Sequence, residues 1–158
     1  MRIRQATEGD VDALVVLNLA VQRYHAYAEP EVYRVADADA IRAWMEEYLG
    51  QPDREVWLSI DGADAAPLGY AAFRHGVSEA TPFVHARNFV YVDQLGVREG
   101  ARRHGVGRAL MEAVRSRARA LGADAIELDV RAINHAARDF YEALGYRPSK
   151  LLLRRAVD

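Results

Sequence analysis

The chain has 158 residues, a length that fits one compact domain, and its 51% apolar and 28% charged residues suffice to bury a continuous core. Lys plus Arg total 21 against 23 Asp plus Glu, and a formal charge of -2 gives no general attraction to nucleic-acid phosphates or anionic lipid. The absence of cysteine excludes disulfides, a thiolate nucleophile, zinc ribbons and iron–sulfur clusters and points to the cytoplasm, while neither a signal core nor an apolar run near the roughly 20 residues of a bilayer span is present.

Arg2 to Ala6 predicts a short strand, and Asp10 offers an acceptor for the unpaired amides that open a helix reaching about Tyr24. A second helix follows from Ile41, Trp44, Met45, Tyr48 and Leu49, one stripe of a 3.6-residue period that Gly50 and Pro52 end. The tyrosine-rich segment between them suits an ordered connection. Val56 to Ile60 and Leu68 to His75 are β-rich runs separated by DGADAAP, which predicts an antiparallel hairpin. Asn88 to Val97 is long enough for a central strand. From Val106, the stripe Leu110, Val114, Ala118 and Leu121 lies opposite Arg108, Glu112, Arg115 and Arg119, with Gly122 as the stop. Ile126, Leu128 and Val130 alternate with Glu127, Asp129 and Arg131, the period of a strand whose charged side is a solvated face. Asn134 caps a short helix with the stripe Ala137, Phe140, Tyr141 and Leu144, and SKLLLRRAV predicts a last strand. The order β α α β β β α β α β predicts a mixed sheet flanked by helices.

The segment from Val97 to Arg108 joins a strand to a helix through glycines and arginines. Unpaired amides and the positive end of a helix dipole attract anions, and glycine allows close backbone approach, so phosphate binding is the physical expectation. Gly105 is followed by Val106 and Gly107, not by the Lys and Ser/Thr that a nucleoside-triphosphate loop requires. A dinucleotide fingerprint finds Gly105, Gly107 and a distant Glu127 but meets Leu110 at its sixth position, within a single βαβ unit. The histidines at 25, 75, 85, 104 and 135 show no metal-ligand spacing.

Arg102-x-x-Gly105-x-Gly107 after Leu95-x-Val97 resembles the pyrophosphate loop of the GCN5-related N-acetyltransferase (GNAT) family. Downstream, Leu128-x-Val130 and then Asn134-x-x-Ala137-x-x-Phe140-Tyr141-x-x-x-Gly145-Tyr146 match the same family, as does the opening Ile3-Arg4-x-Ala6 with Asp10. Glu99 departs from the proline frequent at that place in the family. The resemblance implies an α/β (α+β) fold over residues 1–158: one domain with a mixed, mostly antiparallel sheet, flanked by helices, in which two central parallel strands splay apart. It implies acetyl-CoA as cosubstrate, its pyrophosphate cradled by amides of Arg103, His104, Gly105, Val106, Gly107 and Arg108 with Arg102 opening the loop. The pantetheine would meet the backbone of Leu95 and Val97, and Asn134, which also caps its helix, would hydrogen-bond the pantetheine or its surroundings.

Acetyl transfer to an amine needs a base, because an amine of pKa about 10.4 is neutral in roughly one molecule in a thousand or fewer at pH 7. Asp93 matches the position of a family Glu in that role. As the shorter residue it suits a water relay, and by strict alternation it shares a face with Tyr91, Leu95 and Val97. Pairing with an arginine is the structural alternative, and Glu79 and His85 are further candidates. Tyr141 matches the family tyrosine that protonates or stabilises the leaving thiolate, and its stripe position also suits a core tyrosine. Tyr24, His25, Tyr27, Tyr33, Trp44, Glu29 and Glu31 lie in the segment that lines the acceptor side in the family. The implied partner is a small-molecule or peptide amine, with a homodimer open and no nucleic acid or membrane. A catalytically silent acyl-CoA-binding module of the same fold is the alternative function.

Overall fold

The computed structural model describes residues 1–62 and 66–157. Strand β1 (Arg2–Gln5) leads through a 3-10 turn at Glu8–Asp10 into α1 (Val11–Ala28) and α2 (Ala38–Leu49). Strands β2 (Arg54–Ile60), β3 (Gly69–Ser78) and β4 (Arg87–Val97) follow, then α3 (Val106–Ala120), β5 (Ala125–Leu128) and α4 (His135–Ala143). The predicted hairpin is present in β2 and β3, though residues 63–65 of its turn lie outside the described residues.

The sheet has the order β1-β2-β3-β4-β5, antiparallel throughout except for the parallel β4–β5 pair. Helices cover both faces, so Tyr70, Ala71, Ala72 and Phe73 of β3 are buried without alternation. On one face Leu14 and Leu17 of α1 and Ile41, Met45 and Tyr48 of α2 pack on Val56, Leu58, Tyr70 and Ala72. On the other, Leu110, Met111, Val114 and Ala118 of α3 pack on Ala71, Phe73, Val90 and Val92. A completely buried leucine such as Leu110 contributes about 1.5–3 kcal/mol by leaving water.

Three expectations change. Helix α1 runs past Tyr24 to Ala28 and stops where Pro30 forces Glu29 out of helical geometry (φ -141°, ψ 70°). Asp10 does not cap α1 with its side chain; its carboxylate accepts from the Thr7 amide at 2.8 Å and from both terminal nitrogens of Arg4, which fastens β1 to the turn. SKLLLRRAV forms no strand. Leu151, Leu152 and Leu153 are 80–82% exposed, because an apolar run not laid along a sheet edge has no ladder to join.

Candidate active site

Strands β4 and β5 pair only from Phe89 opposite Ala125 to Val92 opposite Leu128, and then part. Just beyond that point, Phe73 of β3 faces Val92 while Ala72 faces Gln94, which leaves Asp93 as the extra residue of a β-bulge. The bulge overturns the expected alternation. Val92, Leu95 and Val97 all turn to the α3 cluster, and Asp93 points to the α1–α2 face. There its Oδ2 accepts a hydrogen bond from the Tyr48 hydroxyl at 2.7 Å, and its Oδ1 stands 3.5 Å from the Arg74 guanidinium. Burial, with the bond to Asp93, pushes the Tyr48 hydroxyl far above its ordinary pKa, so it remains a donor. Arg74 also lies over the Tyr91 ring at 4.6 Å, and burial beside Asp129 pushes Tyr91 up to about 12. The next residue, Gln94, accepts from Tyr70 at 2.8 Å and from the buried amide of Asn18, which ties α1 to the bulged strand.

The glycine turn follows β4 directly. Gly105 is the N-terminal flank of α3 with φ +82°, a left-handed conformation that side chains with a Cβ resist, and a Cβ there would meet open space. Arg103 also has a positive φ of 61°. Among the described residues the amides of Arg103 to Arg108 have no backbone acceptor, while the next one, Ala109, bonds to the Gly105 carbonyl at 2.9 Å. Arg102 folds back and donates from Nε to the Val97 carbonyl at 3.3 Å; the His104 ring bonds to the Arg102 carbonyl at 2.8 Å. Gly107 has a different purpose: a Cβ there would lie 3.1 Å from Phe140, so the glycine lets α4 close on α3. A groove of about 510 Å³ continues from Gly105 along Arg108 and Glu112 to Leu144 and Tyr146.

Asn134 caps α4 as expected, its Oδ1 accepting from the Ala137 amide at 3.1 Å. Phe140 and Tyr141 pack into the cluster that holds Leu95, Val97 and Leu128. The Tyr141 ring lies between those of Phe140 and Tyr146 at 5.0 and 5.6 Å, and burial raises its pKa well above the ordinary value. Its hydroxyl has no hydrogen-bond partner among the described residues, leaving a protonated donor aimed at no protein acceptor.

Glu29 closes one side through a two-pronged ion pair to Arg131, just past β5, and Arg131 lies 5.6 Å over the Tyr33 ring, itself stacked on His25. Tyr24 and Tyr27 are exposed, and Trp44 packs on Tyr48 at 4.8 Å. Glu79 and His85 are exposed on the β3–β4 connection, and Asp93 meets Tyr48 and Arg74 instead. Sequence reasoning missed Tyr48 as a hydroxyl and Arg74 altogether.

The sequence matches the model of the acetyltransferase (GNAT) family over residues 18–146. The D-amino-acid N-acetyltransferase HPA3 of Saccharomyces cerevisiae is 35% identical over 106 residues, 66% of this chain and 63% of that protein. Mycothiol acetyltransferase of Beutenbergia cavernae is 39% identical over 93 residues, 59% of this chain and 28% of that one, so the matches span less than two thirds of either relative. The crystal structure of a tetramutant of the BH1408 protein from Bacillus halodurans superposes with a TM-score of 0.94 at 27% identity, covering 99% of this chain and 100% of that one.

Proposed function

This chain belongs to the GNAT acetyltransferase family, and from that premise we propose that residues 1–158 act as one N-acetyltransferase domain, moving acetyl from acetyl-CoA to a primary amine by direct attack in a ternary complex. The carrying observation is the parting of β4 and β5 at Val92 and Leu128, directly before the bulge that presents Asp93 and one turn ahead of the free amides at Arg103 to Arg108. The turn fits a pyrophosphate: amides without acceptors, an open approach at Gly105, and Arg102, Arg103 and Arg108 for charge. Leu95, Val97 and Asn134 border the gap into which the pantetheine arm would extend.

In this reading Asp93 receives the amine proton. Its Oδ2 is already engaged by Tyr48, so the transfer runs through a water on Oδ1. As the neutral amine nitrogen bonds to the thioester carbonyl carbon it gives up its second proton to solvent, the carbon–sulfur bond breaks, and the sulfur takes the Tyr141 proton, which solvent replaces. The raised pKa of Tyr141 ensures that the proton is present at neutral pH. No cysteine exists to carry an acyl-enzyme, in agreement with direct transfer. The yeast relative acts on D-amino acids, primary amines that fall within this acceptor class.

Free-thiol release from acetyl-CoA across a panel of small amines and peptides tests the proposal. Amine-dependent release supports it; coenzyme A binding with no release from any amine would leave the silent binding module. The open edge of β5 and the bare Leu151 to Leu153 of the same chain support a homodimer in which a second copy covers both, and light scattering reads the assembly mass.

A further inference from the structure

Arg54 on β2 and Arg74 on β3 are direct cross-strand partners. Opposed residues of an antiparallel pair share a face, and two like charges placed so repel. Their guanidinium groups lie on the α2 side, Arg54 at 5.0 Å over the Tyr48 ring and Arg74 at 4.6 Å over the Tyr91 ring. Among the described residues one carboxylate, Asp93, comes within ion-pair distance, and only of Arg74, at 3.5 Å. Neither guanidinium makes a hydrogen bond to a described residue, and the Arg54 Nε is buried with no acceptor among them. A buried donor left without an acceptor is unfavourable, and here it coincides with a surplus positive charge beside the candidate base.

We propose that Arg74, backed by Arg54, is a carboxylate subsite for the acceptor, and that the acceptor is therefore an α-amino acid with a free carboxylate. This rests on the acetyl-transfer reading for the role of Asp93 but not for the existence of the subsite. The unlike charges of Asp93 and Arg74 stand side by side 3.5 Å apart. The nitrogen and carboxyl carbon of an α-amino acid are about 2.5 Å apart. One such molecule faces both charges at once, its amine toward Asp93 and its carboxylate toward Arg74. A guanidinium with free donors takes a carboxylate through two parallel hydrogen bonds, which fixes the amine in register with the base.

The test is calorimetric binding to the coenzyme A-saturated protein of the common α-amino acids, in both hands, each beside its methyl ester, with thiol release from acetyl-CoA measured in parallel. At least one free acid should bind about tenfold or more tightly than its ester, as expected when a charged hydrogen-bonded pair is lost. That preference should collapse in Arg74→Gln and survive in part in Arg74→Lys, which keeps the charge without the fork. A retained rise in melting temperature with coenzyme A shows that each variant is folded. The subsite is overturned if no acid outperforms its ester, or if the preference survives Arg74→Gln. An acid preference lost in Arg74→Gln, with no thiol release in the parent, supports the subsite and refutes the acetyl-transfer reading instead.

Discussion

Replacing Gly105 by Val separates two effects that the turn combines. The first is backbone strain: Gly105 has φ +82°, and holding a left-handed conformation costs a residue with a Cβ about 1–2 kcal/mol. A Cβ there meets no protein atom within 4 Å, so no internal clash adds to this. For a domain of this size, about 2–4 °C per kcal/mol lowers the ligand-free melting temperature by about 2–8 °C. The second effect is on the ligand. Coenzyme A at a hundred times its Kd stabilises the parent by about 2.7 kcal/mol, a rise of about 5–11 °C. The introduced isopropyl group would fill the space through which the pyrophosphate reaches the free amides of Arg103 to Arg108, so this rise should shrink to less than half. Differential scanning fluorimetry with and without coenzyme A reads both. A variant that melts lower but gains as much from coenzyme A as the parent would refute the assignment of the turn. Gly107→Ala is the contrast, since its Cβ points at Phe140 from 3.1 Å and its effect falls mainly on ligand-free stability.

Tyr141→Phe should preserve the coenzyme A-induced shift and lower kcat about a hundredfold, the scale of one general acid; unchanged turnover with a good acceptor makes the ring a packing element only. Asp93→Asn should lower turnover near neutral pH and lose less at high pH, where more of the amine is already neutral; a fractional loss independent of pH, with a lower Tm, would mark a purely structural carboxylate. Hydrogen bonding from Arg4 lowers the pKa of Asp10 from 3.8 to about 2. A depressed carboxylate stabilises the fold above the unfolded value and loses that contribution as pH falls through the folded one. Asp10→Asn should therefore reduce denaturant-measured stability by about 1 kcal/mol at neutral pH after allowance for solvent screening, with the gap closing between about pH 4 and pH 2. A gap that stays constant with pH would refute the charge-based account.

Periodic signals were the legible part of the sequence. The α3 stripe at Leu110, Val114 and Ala118, the Asn134 cap and the glycine turn each have a local cause, and each is where the residue pattern placed it. What the pattern did not convey depends on partners remote in the chain. Tyr48 read as one more apolar stripe residue, yet its hydroxyl meets an aspartate 45 residues away. Arg74 sits in a β-rich run, and only the β2–β3 register sets it opposite Arg54. The C-terminal leucines form an apolar run, but a strand also needs a neighbour, which composition does not supply. The bulge did leave a trace: apolar positions Val90 and Val92 are followed by Leu95 and Val97, a change of phase that strict alternation at Asp93 overrode.

That change of phase makes β4 resemble a text with one letter inserted, in which everything after the insertion is read in the other frame. Upstream of Asp93 the frame buries Val90 and Val92 under α3; downstream, the shifted frame packs the half-buried Leu95 and Val97 against the same cluster and leaves Gln94 to meet Asn18 and Tyr70. Position 93 is therefore an addition to a strand whose other residues already alternate. Deleting it would restore simple alternation with Val90, Val92, Leu95 and Val97 still on the α3 face and Gln94 on the other, so the α3 packing would survive while the carboxylate that meets Tyr48 and Arg74 would be lost.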